Sequence, residues 1–245
     1  MRKLLGSAAL SLALMAPSVQ AQSNISDTQW EDVRGFLERN PDIHSQLEKM
    51  MDREIGPEQI AEDAAYIAEN TAEIFENPMS PVLGNPDGDI LVAVYTDFRC
   101  PYCKRTKPEL MKLVESNPRV KLVIKEWPIL GPDSSEAAKF ALAAYQAGGA
   151  EAYATVQAAL FDAGGARMTG YFLEELAQEA GLDPRSVIEA MDSPEIAAQI
   201  EQNHQQARAL KITGTPAIII GSVVARGAVP FDALKAGVAE VYGAE

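Results

Sequence analysis

The sequence is poor in the residues from which metal sites and disulfide frameworks are built. Its 245 residues include two cysteines, Cys100 and Cys103, and two histidines, His44 and His204. A Cys-x-x-Cys zinc site needs two further cysteine or histidine ligands at motif spacing, and both histidines are solitary. A structural disulfide across so short a loop would remove little chain entropy. Neither interpretation suits the cysteine pair, and we assign no metal ligand.

The sequence also lacks an excess of basic residues. Its 35 acidic and 21 basic residues give a formal net charge of -14. Such a charge repels nucleic acids and anionic lipid surfaces, so neither is expected as a partner. Beyond the N-terminus, no stretch reaches the roughly 20 apolar residues that a membrane-spanning helix requires. We therefore predict no membrane insertion.

The N-terminus has the pattern of an export signal. Arg2 and Lys3 supply positive charge, an apolar run follows, and small residues end it near Ala21. We expect residues 1–21 to be a cleaved signal peptide. Loss of its two cations would change the formal net charge from -14 to -16. The pattern predicts export to the bacterial periplasm.

Helical periodicity without strand-like runs characterises residues 28–76, within an N-terminal segment that we place at residues 22–78. Asn-Pro-Asp and Gly-Pro interruptions divide it into two or three predicted helices. The last of these carries a 4-3-4-3 spacing, which is typical of a seam that packs against another helix. The seam consists of Ile60, Ala64, Ile67, Thr71 and Ile74.

Strand and helix patterns alternate after a linker rich in proline and glycine at residues 77–89. Residues 134–210 are rich in Ala, Glu and Gln, with helical spacing that predicts four or five helices. The predicted strands are Ile90–Tyr95, Val120–Glu126, Ala217–Ile220 and Val223–Arg226, and further helices include Thr106–Val114 and Phe231–Tyr242. The pattern indicates an α/β layer.

The sequence Cys100-Pro101-Tyr102-Cys103 stands where a predicted strand gives way to a helix. At a helix N-terminus, unpaired backbone N–H groups and the macrodipole stabilise a thiolate. A thiolate is both a nucleophile and a good leaving group in disulfide exchange. We expect Cys100 to attack a client sulfur and Cys103, one turn later and less exposed, to resolve the mixed disulfide.

The sequence Gly214-Thr215-Pro216 directly precedes the predicted strand Ala217–Ile220. Proline at the start of a strand can adopt the otherwise rare cis bond, although an isolated Thr-Pro is usually an ordinary turn. Together with the upstream cysteine pair, the motif resembles the cis-proline loop of thioredoxin-like proteins. That loop lies beside the active-site sulfurs and pairs with the client peptide. The resemblance implies that Thr215 and Pro216 bind the client.

The order of these elements resembles the DsbA-like branch of the thioredoxin superfamily over about residues 85–243. The resemblance implies an α/β, thioredoxin-like fold with an inserted helical domain at about residues 134–210, all within residues 79–245 and preceded by an N-terminal helical segment. The 111 residues from Lys104 to Gly214 are too many for a plain thioredoxin but suit that branch.

Two features near the cysteines bear on the chemistry. The segment Lys125–Ser134 looks like the turn into the inserted domain of DsbA-like proteins. Within it, Glu126 is either a semi-buried acid that relays protons near Cys103 or a residue that keeps a strand edge soluble. Tyr102 stands where oxidising members often carry histidine. Because Pro101 and Tyr102 tune thiolate stability, the redox potential and direction stay open.

The stretch from Phe36 to Ile43 is similar to the N-terminal region of copper-sensitivity suppressor C (ScsC)-like proteins, which are DsbA relatives. In some of them this region mediates oligomerisation. The resemblance implies a homo-oligomer formed through residues 28–76, in which tethered redox domains favour isomerase activity. The alternative is that residues 28–76 pack on their own domain and leave a monomeric oxidase.

The resulting hypothesis is a periplasmic thiol–disulfide oxidoreductase that forms or isomerises disulfides. It would need no organic cofactor, act on exported cysteine-containing proteins and exchange with a membrane redox partner. The alternative is a Cu(I)-binding copper-tolerance protein, because Cys100, Cys103, Met50 and Met51 offer soft ligands. The two methionines are better explained as helix-packing residues.

Overall fold

A computed structural model describes residues 31, 34–36, 38–40, 56–164 and 168–243. The chain divides into two compact units, residues 1–54 and 55–245. In the first, the described residues from 31 to 39 are helical. The predicted export signal, His44, Met50 and Met51 lie outside the described residues.

A five-stranded sheet forms the centre of the second unit. Its strands are β1 (Val82–Gly84), β2 (Ile90–Thr96), β3 (Val120–Glu126), β4 (Ala217–Ile220) and β5 (Val223–Arg226). Their order across the sheet is β1, β3, β2, β4, β5. The central strands β2 and β3 are parallel, and every other neighbouring pair is antiparallel. The mixed α/β class predicted from the sequence is confirmed.

Helices cover both faces of this sheet. They are α1 (Pro57–Glu69), α2 (Thr71–Phe75), α3 (Pro101–Ser116), α4 (Pro132–Ala163), α5 (Gly170–Glu179), α6 (Pro184–Ala190), α7 (Pro194–Ala209) and α8 (Phe231–Tyr242). Four of them, α4 to α7, form the helical block between β3 and β4. Helix α4 is kinked at Gly149, whose φ of 67° is a conformation that glycine adopts readily. Within the described residues, no helix has the length and apolarity needed to cross a membrane.

Alternate residues of the central strands supply two hydrophobic clusters. Val94 and Ile124 belong to a cluster with α3 and α4 on one face, whereas Tyr95 and Val123 belong to a cluster with α1 and α2 on the other. The continuous apolar character of β2 and β3 follows from burial on both faces.

Helices α1 and α2 pack on the sheet instead of forming a separate segment. Ile67 and Ile74 of the predicted seam are buried, but Ile60 is 52% exposed. Arg226 of β5 donates to the buried carboxylate of Asp63 at 2.9 Å. The compact unit therefore begins at residue 55, whereas the sequence predicts a boundary near residue 79. Periodicity identifies an apolar helix face, but it does not distinguish a helix partner from a sheet partner.

Two boundaries differ from the sequence prediction in their details. Strand β1 lies inside the predicted linker, where its three residues are too short to give a strand signal. Helix α3 begins at Pro101, five residues before the predicted helical stretch, because proline suits the first helical position.

Candidate active site

Cys100 occupies the N-cap position of α3, immediately before Pro101. Its backbone N–H donates to the carbonyl of Asp97 at 3.0 Å, and its carbonyl accepts from Lys104 N at 3.1 Å. Cys100 and Cys103 are both free thiols, with side chains that are 5% and 3% exposed. The helix N-terminus thus presents its unpaired N–H groups beside the first cysteine, an arrangement that stabilises a thiolate.

The loop before β4 completes the surroundings of Cys100. The Thr215–Pro216 peptide bond is cis. Cys100 Sγ donates to the carbonyl of Thr215 at 3.2 Å. Antiparallel pairing of Ala217 with Tyr95 explains this proximity, because it places the start of β4 beside the end of β2. The two motifs that the sequence analysis combined therefore meet in space.

Cys103, in the first turn of α3, is buried. Burial raises the pKa of its thiol to about 12. The hydroxyl groups of Thr96 and Thr215 and the backbone of Asp97 partly oppose that shift by hydrogen bonding to the sulfur. Ionisation of Cys103 near neutral pH therefore requires a partner that accepts its proton.

Glu126, at the end of β3, is fully buried, which excludes the interpretation that it keeps a strand edge soluble. Tyr153 of α4 donates to its Oε1 at 2.5 Å. Burial raises the pKa of this carboxyl to about 8, with a smaller contribution from repulsion by Asp97, while the Tyr153 hydrogen bond opposes the shift. Glu126 is thus a buried acid that titrates close to physiological pH.

Asp97 is a functional candidate that the sequence analysis missed. Its Oδ1 accepts from Arg99 N and from Ser134 Oγ, each at 2.8 Å. Its Oδ2 accepts from Ile129 N at 2.8 Å and from Leu130 N at 3.0 Å. The side chain is 1% exposed and ties the loop before Cys100 to the loop after β3. An acidic residue directly after a buried strand was the available signal.

Apolar side chains are exposed at the start of α3 and on the loop after β3. Tyr102, between the two cysteines, is 54% exposed, and the guanidinium carbon of Arg105 lies 4.5 Å from the centre of its ring. Ile129 and Leu130 are 36% and 44% exposed.

His204, one of the two histidines considered as metal ligands, packs inside the second unit. His204 accepts a hydrogen bond from Trp127 Nε1 at 2.9 Å, and partial burial lowers its pKa. Among the described residues, no three His, Cys, Asp or Glu side chains group as they would around a metal ion.

Paired thiols between a helix N-terminus and a cis-proline loop place this chain in the class of proteins with a thioredoxin-like, thiol–disulfide oxidoreductase fold. A family model described as a DSBA-like thioredoxin domain matches residues 91–239. The chain belongs to this family, as the resemblance of its motifs implied.

Solved structures agree with this assignment. A thioredoxin-like oxidoreductase from Silicibacter pomeroyi DSS-3 is 35% identical over 72% of this chain and 99% of its own, with a TM-score of 0.63. A periplasmic thioredoxin-like protein from Salmonella enterica serovar Typhimurium is 31% identical over 69% and 94%, with a TM-score of 0.60. ScsC from Proteus mirabilis is 25% identical over 89% and 96%, with a TM-score of 0.64. No curated protein matches the sequence.

Proposed function

We propose that this protein is a periplasmic thiol–disulfide oxidoreductase that forms or isomerises disulfides in exported proteins. The observation that carries the proposal is the 3.2 Å contact between Cys100 Sγ, at the N-terminus of α3, and the carbonyl of Thr215 beside the cis-proline. This contact places the reactive sulfur next to the backbone of an exposed loop. A client chain that pairs with that backbone brings its own sulfur to Cys100.

In the reducing half-reaction, the Cys100 thiolate attacks a client disulfide and forms a mixed disulfide, while the other client sulfur leaves as a thiolate. Cys103 then attacks the Cys100 sulfur, which forms the Cys100–Cys103 disulfide and releases the second client thiolate. Two electrons pass from the protein dithiol to the client. In the oxidising direction each step runs in reverse, and Cys103 is then the leaving group.

Glu126 is the proposed proton relay for Cys103. A carboxyl with a pKa of about 8 is mostly protonated at pH 7, so it is able to protonate Cys103 as that sulfur leaves. In the reverse direction the carboxylate accepts the same proton. Pro101 and Tyr102 act differently, because their position beside both sulfurs tunes the relative stability of dithiol and disulfide.

The client site is proposed to consist of Thr215 and Pro216 together with nearby apolar loops. The backbone at Thr215, directly before β4, is proposed to pair with an extended peptide. Ile129 and Leu130 offer exposed apolar surface to a partly unfolded chain. This combination selects unfolded cysteine-containing clients over folded ones and requires no organic cofactor.

Export to the periplasm is supported by the charged and apolar pattern of residues 1–21 and by the similar Salmonella protein, which is described as periplasmic. A membrane redox partner would return the cysteine pair to its working state. We propose that self-association uses the part of residues 28–76 that precedes Pro57, because α1 and α2 pack on the sheet of their own unit.

Refolding of ribonuclease tests the proposal. The protein is added in catalytic amount to reduced ribonuclease with an oxidant, and in a second reaction to scrambled ribonuclease with a little reductant. We expect recovery of activity to accelerate in at least one reaction and to return to the uncatalysed rate with Cys100→Ser. The control is Ser116→Ala, which changes a hydroxyl at the far end of α3.

The copper-binding alternative makes the opposite prediction for the same protein. It requires tight Cu(I) binding by the reduced chain, loss of that binding in Cys100→Ala, and no acceleration in either ribonuclease reaction. Tight Cu(I) binding without thiol–disulfide exchange would refute the oxidoreductase proposal.

A further inference from the structure

Basic residues are concentrated on and just before α3, although the chain as a whole is acidic. Residues 99–112 hold five of the 21 basic residues and one of the 35 acidic residues. The five are Arg99, Lys104, Arg105, Lys107 and Lys112. Because the rest of the chain has a large excess of negative charge, this local excess makes the helix that begins with the cysteine pair electrostatically distinct.

Acidic side chains already pair with three of these five cations. The pairs are Arg99–Asp133 at 3.4 Å, Lys104–Asp162 at 3.1 Å and Lys112–Glu109 at 2.8 Å. A fourth cation, Lys107, is half-buried, and its ammonium nitrogen lies 6.0 Å from the centre of the Phe161 ring. Burial lowers the pKa of Lys107, because a low-dielectric environment disfavours the charged form. The remaining cation of the group is Arg105.

Arg105 is exposed and has no acidic partner among the described residues. The acid that would ordinarily pair with it is Glu109, four positions later on the same helix. Both carboxylate oxygens of Glu109 are engaged elsewhere, because Oε1 accepts from Lys112 Nζ at 2.8 Å and Oε2 accepts from Phe231 N at 3.1 Å. The guanidinium group of Arg105 therefore keeps its N–H donors available for a group from another molecule.

Tyr102 holds this guanidinium group at the end of α3 that carries the cysteines. The guanidinium carbon lies 4.5 Å from the centre of the Tyr102 ring, which is within the range of a cation–π contact. Helical side chains lean towards the N-terminus, so Arg105 covers the turn that contains Tyr102. Stacking on a ring leaves the edge of the guanidinium, where its N–H donors lie, free. A planar fork of donors at this place matches a carboxylate, which accepts two parallel hydrogen bonds.

We propose that Arg105, positioned by Tyr102, binds the side-chain carboxylate of an aspartate or glutamate close to the reacting cysteine of a client. This preference rests on the thiol–disulfide exchange proposed above and adds a substrate class to it. Arg105 follows Cys100 by five positions, which is about 7.5 Å along the axis of a helix. About two residues of an extended peptide span that length. The client carboxylate should therefore lie about two residues from the client cysteine.

Single-cysteine peptides, each joined by a disulfide to thionitrobenzoate, test this preference with the reduced, full-length protein. The Cys100 thiolate attacks the peptide sulfur, the bond between that sulfur and thionitrobenzoate breaks, and thionitrobenzoate leaves as a coloured thiolate. Three peptides with blocked ends carry one glutamate two residues before, two residues after or six residues from the cysteine. A fourth carries glutamine instead, and a fifth has its free C-terminal carboxylate at the near position. Near and far glutamate peptides have the same net charge, so their rate ratio measures local recognition.

We expect at least one near-glutamate peptide to react about fivefold faster than the far-glutamate peptide, which is the size of effect that one exposed ion pair supplies. Arg105→Gln should lower this ratio to about one, and Arg105→Lys should retain only part of it because an ammonium group lacks the planar fork. Tyr102→Phe should preserve the ratio and Tyr102→Leu should lower it. Lys112→Gln, which removes an exposed cation from the same helix, is the matched control and should keep the parent ratio. Salt at about 1 M should reduce the ratio towards one.

A change in the reactivity of Cys100 itself affects all peptides alike and cancels in the ratio. A parent ratio of about one, or a ratio that Arg105→Gln leaves unchanged, would overturn the carboxylate preference while the exchange reaction stands. An equal fall with Lys112→Gln would show that the general charge of α3 attracts the peptide. Acceleration of the fifth peptide alone would show that chain ends are bound instead of acidic side chains. Absence of thionitrobenzoate release from every peptide would overturn the exchange reaction itself.

Discussion

Substitution of Glu126 by glutamine removes a buried titratable group and should change the dependence of stability on pH. Burial raises the pKa of this carboxyl to about 8 from an ordinary value of 4.5. Between these values the folded state binds more protons than the unfolded state, so stability decreases as pH rises. Each pKa unit corresponds to about 1.4 kcal/mol, and integration from pH 5 to pH 8 gives a loss of about 3.5 kcal/mol.

Glutamine keeps the shape of the side chain and cannot ionise. The free energy of unfolding of Glu126→Gln should therefore rise relative to that of the parent by about 3.5 kcal/mol from pH 5 to pH 8. Urea unfolding of the reduced protein measures this difference, with fluorescence of the buried Trp127 as the probe. Glu115→Gln, on the exposed surface of α3, is the control. A difference that stays constant with pH would refute the conclusion that Glu126 is neutral when buried.

Three further substitutions test individual interactions by urea unfolding. Asp97→Asn replaces an acceptor of four hydrogen bonds and should cost about 3 kcal/mol, against less than about 1 for the partly exposed Asp133→Asn. Burial lowers the pKa of Lys125 to about 7, so above that pH the unfolded state binds more protons than the folded state. From pH 7 to pH 9 the free energy of unfolding of the parent should therefore rise by about 2 kcal/mol relative to that of Lys125→Met. A difference that does not change with pH would contradict this. Asp63→Ala breaks the buried ion pair between α1 and β5 and should lower the free energy of unfolding by about 3–5 kcal/mol. Glu62→Ala, which breaks an exposed ion pair, is the control. An equal effect of the two substitutions would show that burial is not the cause.

The elements that were predictable from the sequence are those with strong local signals. Strands β3, β4 and β5 and helix α8 have the predicted bounds, because turn residues interrupt each apolar run. The cysteine pair and the Thr215–Pro216 loop were also identified, because each motif has its own chemical signature. The sequence pattern did not predict that Cys100 and Thr215 are in contact, because this proximity results from the pairing of β2 with β4.

The features missed depend on partners distant in the chain. Asp97 receives three of its four hydrogen bonds from residues more than thirty positions later, so its place after a buried strand is the one local sign of its role. Lys125 is fully buried, where it donates to the carbonyl of Glu73 at 2.9 Å and to Ser80 Oγ at 3.1 Å. A lysine near the end of a strand normally indicates exposure. Its burial depends on α2, which the sequence analysis assigned to a separate segment.

The helical block between β3 and β4 does more than cover the sheet. Tyr153 of α4 donates a hydrogen bond to Glu126 and accepts one from Gln157 of the same helix. Ser134, at the start of α4, donates to Asp97. Because α4 contacts both acids, a displacement of this helix would alter the hydrogen bonds of both together. Two cysteines at a helix N-terminus define the class of reaction, whereas the proposed proton relay for the second cysteine uses an acid whose partner Tyr153 belongs to the insertion. The proposed balance between forming and isomerising disulfides therefore depends on α4 as well as on the residues between the cysteines.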